Sequence, residues 1–218
     1  MARFTPLKRD VLDSLADEFL HNYGKGRTIL AVDGVDGAGK THFADALAER
    51  LGRGSHPVFR ASIDSFHRPR AERYVKGVES AEGFYNDSFD YDLLRRILID
   101  PFRLGGSAGF VTAAWDVARD TSVEIAWQTA QQDATLVIDG VFLNRSELRG
   151  LWNYSIWLDV PADVADARRM ARDGAPASAR SLGGQALYLA EADPRARATA
   201  IIDNSDFDHP RRIFVDSC

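Results

Sequence analysis

The sequence predicts an α/β domain with a parallel sheet covered by helices on both faces, and three observations predict it. The run TILAVD leads through GVDGAGKT into HFADALAERL, which reads as a strand, a glycine-rich turn and a helix in succession. Apolar runs then alternate with stretches of helical periodicity, the pattern of strands buried on both sides. Five of those runs reach an aspartate at or near their carboxyl end: Asp33, Asp64, Asp139, Asp159 and Asp203. That edge of an open parallel sheet borders its ligand crevice.

With 218 residues and 45% hydrophobic content, the chain suits a single domain over 1–218 with a substantial core. A formal charge of −5 supplies no basic footprint for nucleic acid. No apolar run approaches the ~18 residues of a membrane span, so a soluble protein with a small ligand is expected. Residues 1–25 read as an N-terminal amphipathic helix with Thr5 as N-cap, Pro6 at its first position and a stripe of Leu7, Val11, Leu12, Leu15 and Phe19. Asp10, Asp13, Asp17 and Glu18 interrupt any signal-peptide core. Cys218 is the only cysteine, which excludes a disulfide within one chain and suits a reducing cytoplasm. Four lysines stand among 27 basic residues, and nothing in the pattern decides between a monomer and a homo-oligomer.

GVDGAGKT matches G-x-x-x-x-G-K-[ST] over Gly34–Thr41. Such a loop turns backbone N–H groups inward around an anion at a helix N-terminus. Gly34, Asp36, Gly37, Ala38 and Gly39, with His42 just beyond, are the expected cradle for nucleotide phosphates. Lys40 adds a mobile charge and Thr41 a hydroxyl for Mg²⁺. The plainer alternative is a glycine-rich turn with a surface lysine.

Next, PVFRASID forms a strand ending at Asp64, followed by the long irregular stretch SFHRPRAERYVKGVESAEGFYND. A helix is expected from about Tyr91 to Ile99, stopped by Pro101. FVTAAWD and SVEIAW read as two short strands able to form a hairpin over the site. ATLVID, YSIWLDV and ATAIID complete the strands, with the helix ADVADARRMARD between the last two. Of the five aspartates, Asp64 and Asp139 are selected. Asp64 leads into a loop rich in His, Arg and Tyr, and Asp139 ends its strand as a carboxylate able to orient Mg²⁺ or its waters. Asp33 and Asp159 are read as structural.

GVDGAGKT, SIDSFHRPR, GFYNDSFDYDLL, LVIDGVFL, RRMARDG and the IIDN run, in that order, resemble the uridine kinase family of P-loop kinases, particularly a bacterial uridine kinase-like branch, from about Gly26 to Asn204. The resemblance implies a three-layer sandwich around a five-stranded parallel sheet, with a small lid. It implies ATP or GTP as phosphate donor, Mg²⁺, and a nucleoside 5′-hydroxyl as acceptor. By position, Asp64 matches the carboxylate that takes the hydroxyl proton, and Thr41 and Asp139 the metal-orienting pair. His67 matches a residue of the nucleoside pocket, and Tyr85, Asp87, Phe89 and Asp90 fall in the acceptor-binding run. Arg168, Arg169 and Arg172 match the start of the arginine lid over the phosphates. Arg168 and Arg172 share a helix face, the alternative being a solvated basic face with Arg169 paired to Asp173.

Two segments depart from the family. Residues 173–190, around GAPASARSLGG, carry only Arg180 where a longer basic lid is usual, so a short, loosely closing lid is expected. WDVARD supplies Trp115, Asp116 and Arg119 at the acceptor side but no histidine. Three functions stay open on these residues: a nucleoside kinase, a kinase for another small metabolite such as a sugar or pantothenate, and a non-catalytic nucleotide-binding homologue. No NKxD run supports a GTPase switch.

Overall fold

The computed structural model describes residues 6–214, so Thr5 and Cys218 lie outside the described part of the chain. Helix α1 (Lys8–Tyr23) begins later than the Thr5-Pro6 signal suggests, with Leu7 at its N-cap and the Asp10 carboxylate accepting from the Leu7 N–H at 3.3 Å. Strand β1 (Arg27–Gly34) follows, then α2 (Lys40–Leu51), β2 (Val58–Ser62) and a 3₁₀ turn over Ile63–Phe66. Three short helices, α3 (Arg70–Arg73), α4 (Ala81–Asp87) and α5 (Tyr91–Leu94), build the irregular stretch. From α5 the chain passes through a π turn (Arg95–Ile99) into α6 (Asp100–Leu104).

Pro101 therefore does not stop the helix, contrary to the sequence expectation. Proline has no N–H and would orphan the carbonyl one turn earlier. Here that carbonyl, on Ile97, accepts instead from the Val111 N–H at 3.1 Å. A distant strand-like segment thus supplies the missing donor.

The remaining elements are the hairpin β3 (Trp115–Asp116) and β4 (Thr121–Ser122), then β5 (Ala134–Gly140), β6 (Tyr154–Asp159), α7 (Ala162–Asp173), α8 (Ala179–Ala192), α9 (Pro194–Arg197), β7 (Ala200–Asp203) and β8 (Arg211–Ile213). The hairpin is shorter than FVTAAWD and SVEIAW suggest. Phe110 instead bridges Gln128, and the hairpin is pinned on α3, where Asp120 Oδ1 accepts from the Arg70 N–H at 2.8 Å and from Arg73 at 3.1 Å.

The main sheet runs β2-β5-β1-β6-β7-β8. Its first five strands are parallel as expected, and β8 adds a sixth, antiparallel to β7. Alternate residues of β1 enter opposite cores. Leu30 and Val32 pack with α1 and α2 through Phe19, Phe43 and Leu47. Ile29 and Ala31 face the aromatic core of Phe66, Phe89, Phe102, Phe110 and Phe142. Strands are added on both sides of β1, β2 and β5 on one and β6 and β7 on the other, and the carboxyl end of β1 opens on the crevice.

Segment 173–190, expected as a short lid, is largely helical and borders the cleft through Asp173 and Ser181. After a turn at Gly174 it is mostly α8, which lies along α4. The approach depends on a glycine pair: a Cβ on Gly184 would stand 2.5 Å from Phe84 Cδ1. Arg180, buried in that seam, donates to the carbonyls of Arg73, Gly77 and Ser80 at 2.9, 3.3 and 3.0 Å. Gly184→Val is accordingly expected to destabilise the fold by about 1–3 kcal/mol, the usual range for overpacking. Denaturant unfolding measures it, and an unchanged midpoint would show that α8 stands clear of α4.

Candidate active site

A cleft of about 780 Å³ opens at the carboxyl edge of the sheet. Its floor is the loop between β1 and α2. Gly37 and Gly39 hold φ of +83° and +87°, and a Cβ on Gly37 would meet the Ala165 carbonyl oxygen at 2.3 Å, so the loop needs glycine for both conformation and space. The Asn204 amide clamps the loop from outside through the Ala38 carbonyl at 2.7 Å. Gln185 on α8 accepts from the Asp36 N–H at 2.7 Å.

Lys40 Nζ folds back on the Val35 carbonyl at 2.9 Å. Burial lowers the Lys40 pKa, against the opposing pull of Asp36, Asp64, Asp33 and Asp139. The Thr41 hydroxyl donates to Asp139 Oδ2 at 2.8 Å, while Asp139 Oδ1 accepts from Arg60 at 2.8 Å. Arg60 also pairs with Asp45, so Asp139 is held rigidly at the end of β5. Thr41 and Asp139 form a hard-oxygen pair beside the loop, which suits Mg²⁺. No cluster of three or more His, Cys, Asp or Glu capable of caging a metal exists among the described residues. The donor set thus fits an ion that keeps water and substrate oxygens, as Mg²⁺ does, rather than one wholly caged by protein.

Asp64 opens on the same cleft from the 3₁₀ turn after β2. Desolvation by the cleft walls raises its pKa, with His67 and Lys40 opposing and Asp139 and Asp36 reinforcing. His67 Nδ1 lies 2.8 Å from the Asp64 carbonyl, and its ring packs on Phe89 with centroids 4.5 Å apart. Desolvation lowers the His67 pKa, so the ring favours its neutral form. Phe84 and Val141 complete this wall.

On the opposite side, Arg172 reaches Asp36 at 3.0 Å and Asp173 at 2.7 Å. Arg168 lies 3.5 Å from the Phe207 ring centroid and donates to the Asn204 and Ser205 carbonyls, both at 2.9 Å.

Of the residues singled out from sequence, Asp36, Gly37, Gly39, Lys40, Thr41, His42, Asp64, His67, Phe89, Asp139, Arg168 and Arg172 line one cleft. Gly34 and Ala38 belong to the loop's buried frame. Others are not brought there. Arg169 is 5% exposed and pairs with Asp166 rather than with Asp173. Tyr85 is buried under Arg145, whose guanidinium stands 4.3 Å from its ring centre. Asp87 pairs with Lys76 at 3.5 Å, and Trp115 stays in the β3–β4 hairpin. Asp90 caps α5 through the Leu93 N–H at 2.9 Å.

The sequence profile of the phosphoribulokinase/uridine kinase family matches residues 29–177, spanning the loop, both selected aspartates and α7. The chain belongs to that family. A uridine kinase of Staphylococcus aureus (strain JH9) is 27% identical over 152 residues, covering 68% of this chain and 70% of its own. A structure described as a possible uridine kinase from Bacillus stearothermophilus superposes with a TM-score of 0.70 at 26% identity, covering 88% of this chain and 97% of its own. D-glycerate 3-kinase from Cryptococcus neoformans var. grubii shares the fold at a TM-score of 0.51 and 9% identity, over 94% and 99%. The protein is thus a P-loop kinase. No helix among its described residues is long and apolar enough to cross a membrane.

The cleft of this kinase also holds residues that the sequence motifs did not mark. Phe84, Val141, Ser181 and Phe207 line the cleft, and Arg60, Gln185 and Asn204 hold its floor. Phe84 lies in the GFYND run next to Tyr85, and only helix phase separates the half-buried ring that lines the cleft from the buried one. Asp33, read as structural, is fully buried: it accepts from the Gly34 N–H at 2.7 Å, from both donors of Asn144 at 2.9 and 2.8 Å, and from the Tyr188 hydroxyl. Burial raises its pKa.

Proposed function

We propose that this kinase moves the terminal phosphate of ATP or GTP to a hydroxyl of an uncharged, flat-faced acceptor, a nucleoside first among them. The observation that carries this reading is that Lys40 and Asp64 open on one cleft with the aromatic wall of His67, Phe84 and Phe89 beside the carboxylate. The cationic lining residues, Lys40, Arg168 and Arg172, belong to the loop and α7, while the wall beside Asp64 presents rings and Val141. An anionic acceptor would find no guanidinium or ammonium on that wall, whereas a nucleobase would find stacking surface.

The acceptor oxygen attacks the terminal phosphorus, the bond to the bridging oxygen breaks, and the nucleoside diphosphate leaves with that electron pair. Asp64 takes the hydroxyl proton, a role that its raised pKa suits because proton acceptance is strongest when the base titrates near the working pH. Lys40 exchanges the Val35 carbonyl for phosphate oxygens, and loop N–H groups hold the chain of phosphates. Mg²⁺, held by Thr41 and through water by Asp139, would supply further charge neutralisation. The planar contact of Arg168 with Phe207 offers a platform for the donor's base at the outer end of the cleft.

Arg172 is the lid arginine free to turn to the phosphates, because its partners Asp36 and Asp173 are partly exposed and weakly held. Arg172→Ala is expected to lower kcat more than it raises KM for ATP, the signature of transition-state contact. Arg169→Ala should instead lower thermal stability and leave kcat within about twofold, since it removes a buried side chain paired with the exposed Asp166 rather than a phosphate contact. Steady-state kinetics and a melting curve on both variants separate the two arginines.

The function itself is tested by an Mg-ATP phosphotransfer screen over nucleosides, neutral sugars, pantothenate and glycerate. Acceptor-stimulated ADP formation confined to nucleosides is the expected result. Preference for an anionic acceptor overturns the acceptor assignment, and no stimulation by any acceptor returns the chain to a nucleotide-binding role.

A further inference from the structure

A second cavity, of about 310 Å³, lies away from the cleft beneath the loop joining β5 to β6, against the junction of α9 and β7. Three arginines line it, Arg145, Arg149 and Arg197, and no carboxylate does among the described residues. Arg145 is spent on Glu147 at 2.7 Å and on the Tyr85 carbonyl at 2.7 Å. Arg149 and Arg197 are different: among the described residues neither side chain has an ion pair or a hydrogen bond. In a chain of net charge −5, where acidic partners outnumber basic groups, two unpaired arginines lining one cavity call for an anion.

The cavity is also preformed. Arg103 Nη2 ties the loop through the Gly150 and Leu151 carbonyls at 2.9 and 2.7 Å, and Trp152 Nε1 donates to the Leu143 carbonyl at 2.7 Å. Ser155, buried in the wall, accepts from the Thr199 N–H at 3.3 Å and keeps its own hydroxyl proton free. Two planar forks and a hydroxyl donor match a phosphate group, and the half-buried Trp152 adds a flat apolar surface beside it.

We infer that this cavity is a second binding site, for a phosphate-bearing small molecule, separate from the catalytic cleft. Its walls reach that cleft. Asn144 holds Asp33 immediately before the phosphate loop, and Arg145 holds the Tyr85 carbonyl next to Phe84 of the acceptor wall. An occupied site therefore shifts the acceptor KM. Binding at this cavity is independent of which acceptor the kinase uses.

Calorimetric titration with inorganic pyrophosphate tests it on three proteins: wild type, Arg149→Ala/Arg197→Ala, and Lys40→Ala. Wild type should show two classes of site. The double variant should lose one class, or bind it at least tenfold more weakly, and keep the class that Lys40→Ala removes. Both arginines are exposed, so the double variant should melt as wild type does, and Arg149→Lys/Arg197→Lys should recover part of the binding through charge alone. AMP in place of pyrophosphate reads the contribution of Trp152: tighter binding than phosphate at the Lys40-independent class assigns a nucleotide, equal binding a simple phosphate. A single class of site unaffected by the double variant overturns the inference. Pyrophosphate binding at the second class with no change in acceptor KM overturns its link to the cleft.

Discussion

Asp64→Asn is expected to keep nucleotide binding and to lower kcat by about 10²–10⁴, the usual contribution of a positioned general base. The amide preserves shape and the turn, whose capping bond runs from the Asp64 N–H to Ser62 Oγ at 3.3 Å and does not involve the side chain. It cannot accept a proton. Because desolvation raises the Asp64 pKa, the carboxyl holds its proton over a pH range in which an ordinary aspartate is ionised. Activity should therefore appear as pH rises through that raised value and fall away below it. The wild-type profile of log kcat against pH should show an acid limb above the usual carboxylate range, and the limb should vanish in Asp64→Asn. A loss of less than tenfold, with the acid limb retained, would make Asp64 a positioning group and place the proton elsewhere.

Lys40→Ala is expected to cost at least about a hundredfold in kcat/KM for ATP, the scale of losing one preorganised charge at a developing anion. Its structural consequence should run the other way. Lys40 is a half-buried cation whose Nζ makes one hydrogen bond, to the Val35 carbonyl, and desolvation already lowers its pKa. Removing it relieves desolvation, so the melting temperature should not fall. Differential scanning fluorimetry beside steady-state kinetics reads both effects. A folded Lys40→Ala protein with full activity would remove the phosphoryl-transfer reading.

The phosphate end of the site was legible in sequence because its residues are close in the chain. Gly37, Gly39, Lys40 and Thr41 are bound to the geometry of one strand-turn-helix unit, in which spacing alone sets the direction of each group. Asp139 and Asp64 were legible for a related reason: parallel strands bring their carboxyl ends to one edge, so an aspartate ending an apolar run is placed by topology before any contact is known. The acceptor end was less legible. In the GFYNDSFD run the helical phase of a single seven-residue helix decides that Phe84 lines the cleft while Tyr85 is buried, and a run that short has no periodicity to read.

Arg168, Arg169 and Arg172 illustrate the boundary. Sequence alone determined that they share one helix and that Arg168 and Arg172 share one face of it. Only the tertiary structure decided that Arg169 is buried, that Arg168 rests on Phe207, 39 positions further along the chain, and that Arg172 reaches Asp36. The same holds for Pro101, whose helix survives because Val111 satisfies the freed carbonyl, and for segment 173–190, which is a docked helix because Gly183 and Gly184 admit α4. Local steric and periodic constraints act over a few residues and are written in their order. A partner for a buried charge, an orphaned carbonyl or a close helix contact comes from wherever the fold brings another surface, so those choices belong to the folded chain.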